Sequence, residues 1–161
     1  MFDRFGEFDS ATELNETAVN LRKEGDTESL KVLAKENGID QDMVDAFIDG
    51  DLLYLCDDMT AALGKLDIEI EQVTCAEIME DWVEYIRSQC FEKPEVARAV
   101  RKKGKSLAGC IAALLHWSFE NQNPVDKKIM KAAGVTAERC TLGIPGMATA
   151  KKIIKDYYLR K

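Results

Sequence analysis

Gly104, Lys105 and Ser106, in the stretch VRKKGKSLAGC, come nearest in this chain to a motif with chemistry attached. A phosphate-binding loop needs glycine, four residues, then Gly-Lys-Ser or Gly-Lys-Thr, because the glycines let backbone amides curl around phosphates that the lysine also reaches. The position that should hold the first glycine is Ala99. The preceding PEVARAVRKK opens with a proline suited to a first helical turn and does not read as a buried strand. Gly104 is therefore expected to end one helix and Ser106 to cap the next.

Other chemistries fail on spacing. The single histidine, His116, lies in an apolar run beside Trp117, where a core or boundary position is expected. Cys110 precedes it by six residues, about 9 Å along a helix axis, which does not make a nucleophile and base. Five cysteines without a CxxC pair match no zinc spacing and read as reduced thiols, mostly buried, in a cytoplasmic protein. A calcium loop counted from Asp40 would place Val44 and Asp45 where a ligand and a glycine belong; counted from Asp49 it meets Leu53. GIPG, residues 143–146, has the outline of a loop that clamps nucleic-acid backbone, but Ile144 and Pro145 offer it no cation, and a turn is expected. No catalytic residue, cofactor or metal ligand is assigned, and an enzyme is not expected.

Charge is more informative. Residues 1–81 hold 22 acidic and 6 basic side chains, and residues 82–161 hold 7 and 16. Such asymmetry suits an acidic surface for a basic partner, a basic surface for nucleic acid, or two halves that attract each other. Asp40, Asp42, Asp45, Asp49 and Asp51 are too dense for helix capping and are the candidate contacts to a protein with a basic surface. Arg98, Arg101, Lys102, Lys103 and Lys105, at helical spacings, are the alternative candidates, for phosphate contact.

The elements that must position these residues are helical. Ser10 with Glu13 forms a capping box before Ala11, Leu14, Ala18 and Leu21; further faces follow at Leu30, Leu33 and Ala34, at Met43, Val44, Phe47 and Ile48, and at Leu52, Leu55, Met59 and Leu63. These predict a small acidic bundle over residues 1–66. KLDIEIEQV alternates with period two, so 67–73 is expected as a linker or short strand. Thr74 with Glu77 predicts a second capping box, Pro94 opens the basic helix, and Ser106 opens the nearly all-apolar LAGCIAALLHWSF, expected at the centre of a larger basic bundle over 74–161 that buries Trp82 and Leu114. Neither heptads nor a plain sticky stripe is read in the chain. The fold class is all-α. The longest apolar run is eleven residues, too short to span a bilayer, and the acidic start MFDRFGEFDS lacks the basic lead of an export signal.

The succession VEYIRSQC, KGKSLAGCIAALL and KKIIKDYYL resembles the PcfK-like family over about residues 80–161, chiefly at Lys105, Gly109, Cys110, Asp156, Tyr157 and Tyr158. That resemblance implies a small helical protein carried by conjugative elements and phages, with an anti-CRISPR branch that inhibits the RNA-guided nuclease of type II systems, and it implies no catalytic residue or cofactor. The expected function is a non-enzymatic mobile-element protein that binds and inhibits a host defence nuclease. The alternative is a nucleic-acid-binding accessory protein of conjugation or of plasmid or phage replication, acting through the basic helix.

Overall fold

The computed structural model describes residues 3–160. Among them the chain forms nine helices and one pair of two-residue strands, so the protein is all-α. Residues up to Gly109 make one compact unit and Cys110–Arg160 a second.

The first unit opens with α1 (Ala11–Glu24), α2 (Thr27–Glu36) and α3 (Gln41–Asp49). The Ser10 hydroxyl accepts the Glu13 amide at 3.1 Å, and the Glu13 carboxylate accepts the Asp9 amide at 2.6 Å, which fixes the start of α1. Leu14, Ala18, Leu30, Leu33, Val44 and Phe47 bury their side chains in one cluster with Leu55 and Cys56. Helices this short persist only by sharing such a core.

The remaining helices of this unit are α4 (Asp58–Ile70), α5 (Ile78–Glu92) and α6 (Pro94–Arg101), with α4 packed against both others. Several expectations change here. The helix expected from Leu52 starts instead at Asp58, where the Asp57 carboxylate takes up the Thr60 amide at 2.7 Å. It then runs to Ile70 through the expected linker. The period-two pattern there misleads because Glu69 turns inward and is only 7% exposed. Since α4 lies along α6, the chain does not divide at 67–73; the compact units meet at Gly109 and Cys110. Thr74 does not cap α5 either, because the residue before that helix is Glu77, at φ 56° and without a side-chain cap.

The loop after α2 crosses α4 at a backbone-to-backbone contact. A Cβ on Gly38 would lie 2.3 Å from the Gly64 carbonyl oxygen, and one on Gly64 would lie 2.3 Å from that of Asn37. Only glycine fits on either side.

In the second unit, α7 (Leu107–Glu120, its first turn belonging to the first unit) is followed by β1 (Asn123–Pro124), α8 (Lys127–Ala132), β2 (Thr141–Leu142) and α9 (Met147–Leu159). The strands pair antiparallel, Asn123 opposite Leu142 and Pro124 opposite Thr141. Cys110, Leu114, Ala150, Ile154 and Tyr158 are buried. The expectation that α7 is enclosed is corrected: Leu115 and Phe119 are exposed, and His116 projects outward to pair with Glu120 at 3.2 Å. No helix among the described residues is long and apolar enough to cross a membrane.

Candidate functional site

Asp40, Asp42, Asp45, Asp49 and Asp51 are all exposed on and around α3. Inward Val44 and Phe47 hold the helix by its other face, so the acids at the intervening positions are forced outward. Asp45 accepts the Gln41 amide at 2.8 Å, and among the described residues none of the five forms an ion pair. The next residues along the chain are apolar and exposed: Leu53 at 78% and Tyr54 at 65%.

This face is rigidly backed. Arg22 donates to the carbonyls of Phe47 at 2.7 Å and Leu52 at 3.2 Å, with its guanidinium 4.1 Å from the Phe47 ring. Asn15 exchanges two hydrogen bonds with the Cys56 backbone, at 2.7 and 3.1 Å, which holds the loop carrying Tyr54 beside α1. A cleft of about 700 Å³ lies between Tyr54 and α1, lined by Thr12, Glu16 and Asn20 among others. Nothing in the spacing of Asn15 or Arg22 marks them in the sequence, because each acts through partners 25 or more residues along the chain.

The basic helix does not form the expected cationic face. Arg101 is 1% exposed and donates to the Asn37 side chain at 2.6 Å, so it is removed from the candidate phosphate contacts. Its place on α6 is the inner one, beside buried Ala97 and Val100. Arg98 is exposed but pairs with Asp58 at 3.1 Å. Lys103 is exposed, donates its backbone amide to Asp9 and approaches Glu13 at 3.9 Å. Lys102 is exposed and Lys105 half-buried. Arg87 pairs with Asp67. Arg87, Arg98 and Lys103 of the second half are thus met by acids of the first inside this unit.

Beneath these pairs lies a buried polar cluster. The Lys65 side chain is fully enclosed; its ammonium donates to Glu7 at 2.8 Å and to the carbonyls of Lys102 at 3.0 Å and Lys105 at 2.6 Å, with Glu69 at 3.9 Å. Glu69 accepts the Leu107 amide at 2.8 Å, satisfying one of the open amides at the start of α7, while Ser106 takes that of Gly109 at 3.0 Å. The GKS segment is accordingly a turn between two helices, as expected, clamped by Lys65.

Burial raises the Glu69 carboxyl above its ordinary value of 4.5, against the opposing pull of the Leu107 amide and Lys65. A raised folded-state value favours the protonated form, so this group's stabilising contribution is complete below its unfolded value and is lost as pH rises through its folded value. Glu69→Gln keeps an acceptor for Leu107 and removes the titration. The melting midpoint of the wild type relative to this variant should fall as pH is raised from about 4 to about 8. A constant difference across that range would show that Glu69 carries no such penalty.

Other chemistry is weak. Burial pushes the thiols of Cys56 and Cys110 up to about 12 and that of Cys90 to about 11, far from the thiolate a nucleophile needs. Cys110 and Tyr158 are both buried in the interior of the second unit. Among the described residues no three His, Cys, Asp or Glu side chains converge as a metal site. Compared with protein-family models, curated proteins and solved structures, the chain matches none.

Proposed function

We propose that this is a non-enzymatic binding protein of a phage or conjugative element that acts in the cytoplasm by docking its acidic face on the basic surface of a host defence nuclease, an RNA-guided nuclease of a type II system in the first instance. The observation that carries this reading is the set of five exposed carboxylates around α3, without an ion pair among the described residues and followed along the chain by exposed Leu53 and Tyr54. Carboxylates presented in place of phosphates compete for the lysines and arginines of a nucleic-acid channel, and the apolar pair beside them adds the desolvated contact that charge alone does not supply. The PcfK-like resemblance supplies the mobile-element context. Direct nucleic-acid binding by the basic helix is the weaker reading, because Arg101 is buried and Arg98 and Lys103 are committed to acids.

The test is inhibition of a type II nuclease by the full chain and by an Asp42→Asn, Asp45→Asn, Asp49→Asn variant. The variant should keep the wild-type melting midpoint and associate at least about tenfold more slowly at low salt, with free DNA competing for the same partner. Equal association by both proteins removes the acidic face from the mechanism. No inhibition by the wild type sinks the reading for that nuclease.

A further inference from the structure

The outer side of α7 is a single apolar row that the function above leaves unused. Ala108, Ala112, Leu115 and Phe119 are all exposed, the last two at 54% and 72%. They follow one another at steps of four, three and four residues, the spacing of a coiled-coil seam, and at about 100° per residue they fall within an arc of about 60°. Leu107, Cys110 and Leu114 lie on the other side of the helix and are fully enclosed, which fixes how α7 is turned. The segment around Gly143 rests on the Ser118 carbonyl, on the flank of the row, and leaves Phe119 open. A contiguous exposed row of this kind marks an interaction surface.

The order of sizes along the row selects its partner. The N-terminal half is small, Ala108 and Ala112, and the C-terminal half is large, Leu115 and Phe119. The midpoint of 108 and 119 is also the midpoint of 112 and 115. A second α7 laid antiparallel across that midpoint therefore sets Phe119 of each copy over Ala108 of the other and Leu115 over Ala112, a large residue facing a small one at all four steps. A parallel pair would press Phe119 on Phe119 and leave a gap between the alanines. Charge does not oppose the contact either. Gly109, Ile111 and Ser118 beside the row are uncharged, and the flanking His116 is paired within its own helix with Glu120 at 3.2 Å. In a chain with 32% charged residues, a face that sets no like charges against each other is suited to meeting its own image.

We propose that α7 pairs with α7 of a second copy of this chain, antiparallel about a two-fold axis that passes between Ala112 and Leu115, to form a weak homodimer. Burial of Leu115 and Phe119 supplies the attraction, and the alanines let the helices come close enough to receive them. Since α7 spans only about 20 Å, the contact falls short of the roughly 800 Å² per partner of a standard interface, and the dimer should be half formed somewhere between about 5 and about 500 µM. The acidic face takes no part in this contact, and the dimer carries it twice.

Sedimentation equilibrium of the full chain over that range of concentration, in about 50 mM and about 500 mM salt, reads the association. The wild type should pass from monomer to dimer mass as concentration rises and be no weaker at high salt, because the contact is apolar. Phe119→Ala removes the large residue and Ala108→Phe sets one against another, so each should weaken dimerisation at least about tenfold. The double variant Ala108→Phe with Phe119→Ala exchanges large for small and should return to within about threefold of the wild type. All these positions are exposed, and each variant is checked for an unchanged melting midpoint in dilute solution. Ala112→Phe with Leu115→Ala repeats the exchange nearer the axis, should any of the first set shift that midpoint. A wild type that stays monomeric, a dimer that salt dissolves, or a double variant no better than its singles would each overturn the proposal. A tighter dimer in Ala108→Phe would mean parallel helices, and undiminished association in Phe119→Ala would place the contact elsewhere; both overturn it equally.

Discussion

Substituting alanine for Lys65 should lower the unfolding free energy by about 3–5 kcal/mol, the range for breaking a buried, fully paired charge. The ammonium has no solvent to fall back on, and its removal takes the cation from Glu7, itself only 30% exposed at the side chain, and this donor from the carbonyls of Lys105 and Lys102, the latter still accepting the Lys105 amide at 3.2 Å. Those acceptors are part-buried around the enclosed ammonium, and losing its charge-assisted bonds costs more than the volume lost. Lys65→Met separates the two effects. It refills most of the methylene volume, so it should recover the packing share of the loss and leave the polar share. Urea unfolding of all three proteins measures both. A midpoint for Lys65→Ala close to the wild type would show that the cluster is solvated.

Gly64→Val should be comparably severe, about 3 kcal/mol or more. Overpacking usually costs about 1–3 kcal/mol because side chains can shift, but here the first atom added meets the Asn37 carbonyl oxygen at 2.3 Å and the Gly38 carbonyl oxygen at 2.8 Å. Those are backbone atoms, fixed by the loop that closes α2. Relief requires α2 and α4 to separate, and that opens the core around Leu33 and Leu66. Gly64→Ala should show the same direction at smaller size. Thermal unfolding reads both, and a variant as stable as the wild type would mean the crossing can slide.

What the sequence disclosed was local. Ser10, Pro94 and Ser106 act within one helical turn, and their roles at helix ends were legible from residue type alone. The acids on α3 were equally legible, since a helix with apolar Val44 and Phe47 on its inner face must turn Asp42, Asp45 and Asp49 outward. The misreadings share one cause. Lys65, Glu69 and Arg101 occupy inward positions where pattern reading expects apolar residues, and hydrogen bonds to Lys102, Leu107 and Asn37, 37 or more positions away, are what let them lie there. Glu69 turned a helix into an apparent linker, and Arg101 turned an internal anchor into an apparent phosphate contact. In α7 the error ran the other way. Its side chains are apolar almost all round, so the outward set, Leu115 and Phe119, could not be told from the inward set, Cys110 and Leu114.

The clamp made by Lys65 also orders events during synthesis. Its hydrogen-bond partners lie at residues 7, 102 and 105, so a nascent chain that has just delivered α4 carries a lysine with Glu7 and the nearby Glu69 already made and two carbonyl acceptors still unmade. Lys65 therefore emerges about 40 residues before the turn that lets α4 bury its inner face, several seconds at ordinary translation rates. For that interval α1, α2 and α3 can condense around Phe47, but α4 must stay hydrated along Lys65 and Glu69. The ribosome thus releases this unit as a folded body only when α6 and the first turn of α7 have cleared the exit tunnel, and a chain stopped at residue 66 would never reach that point.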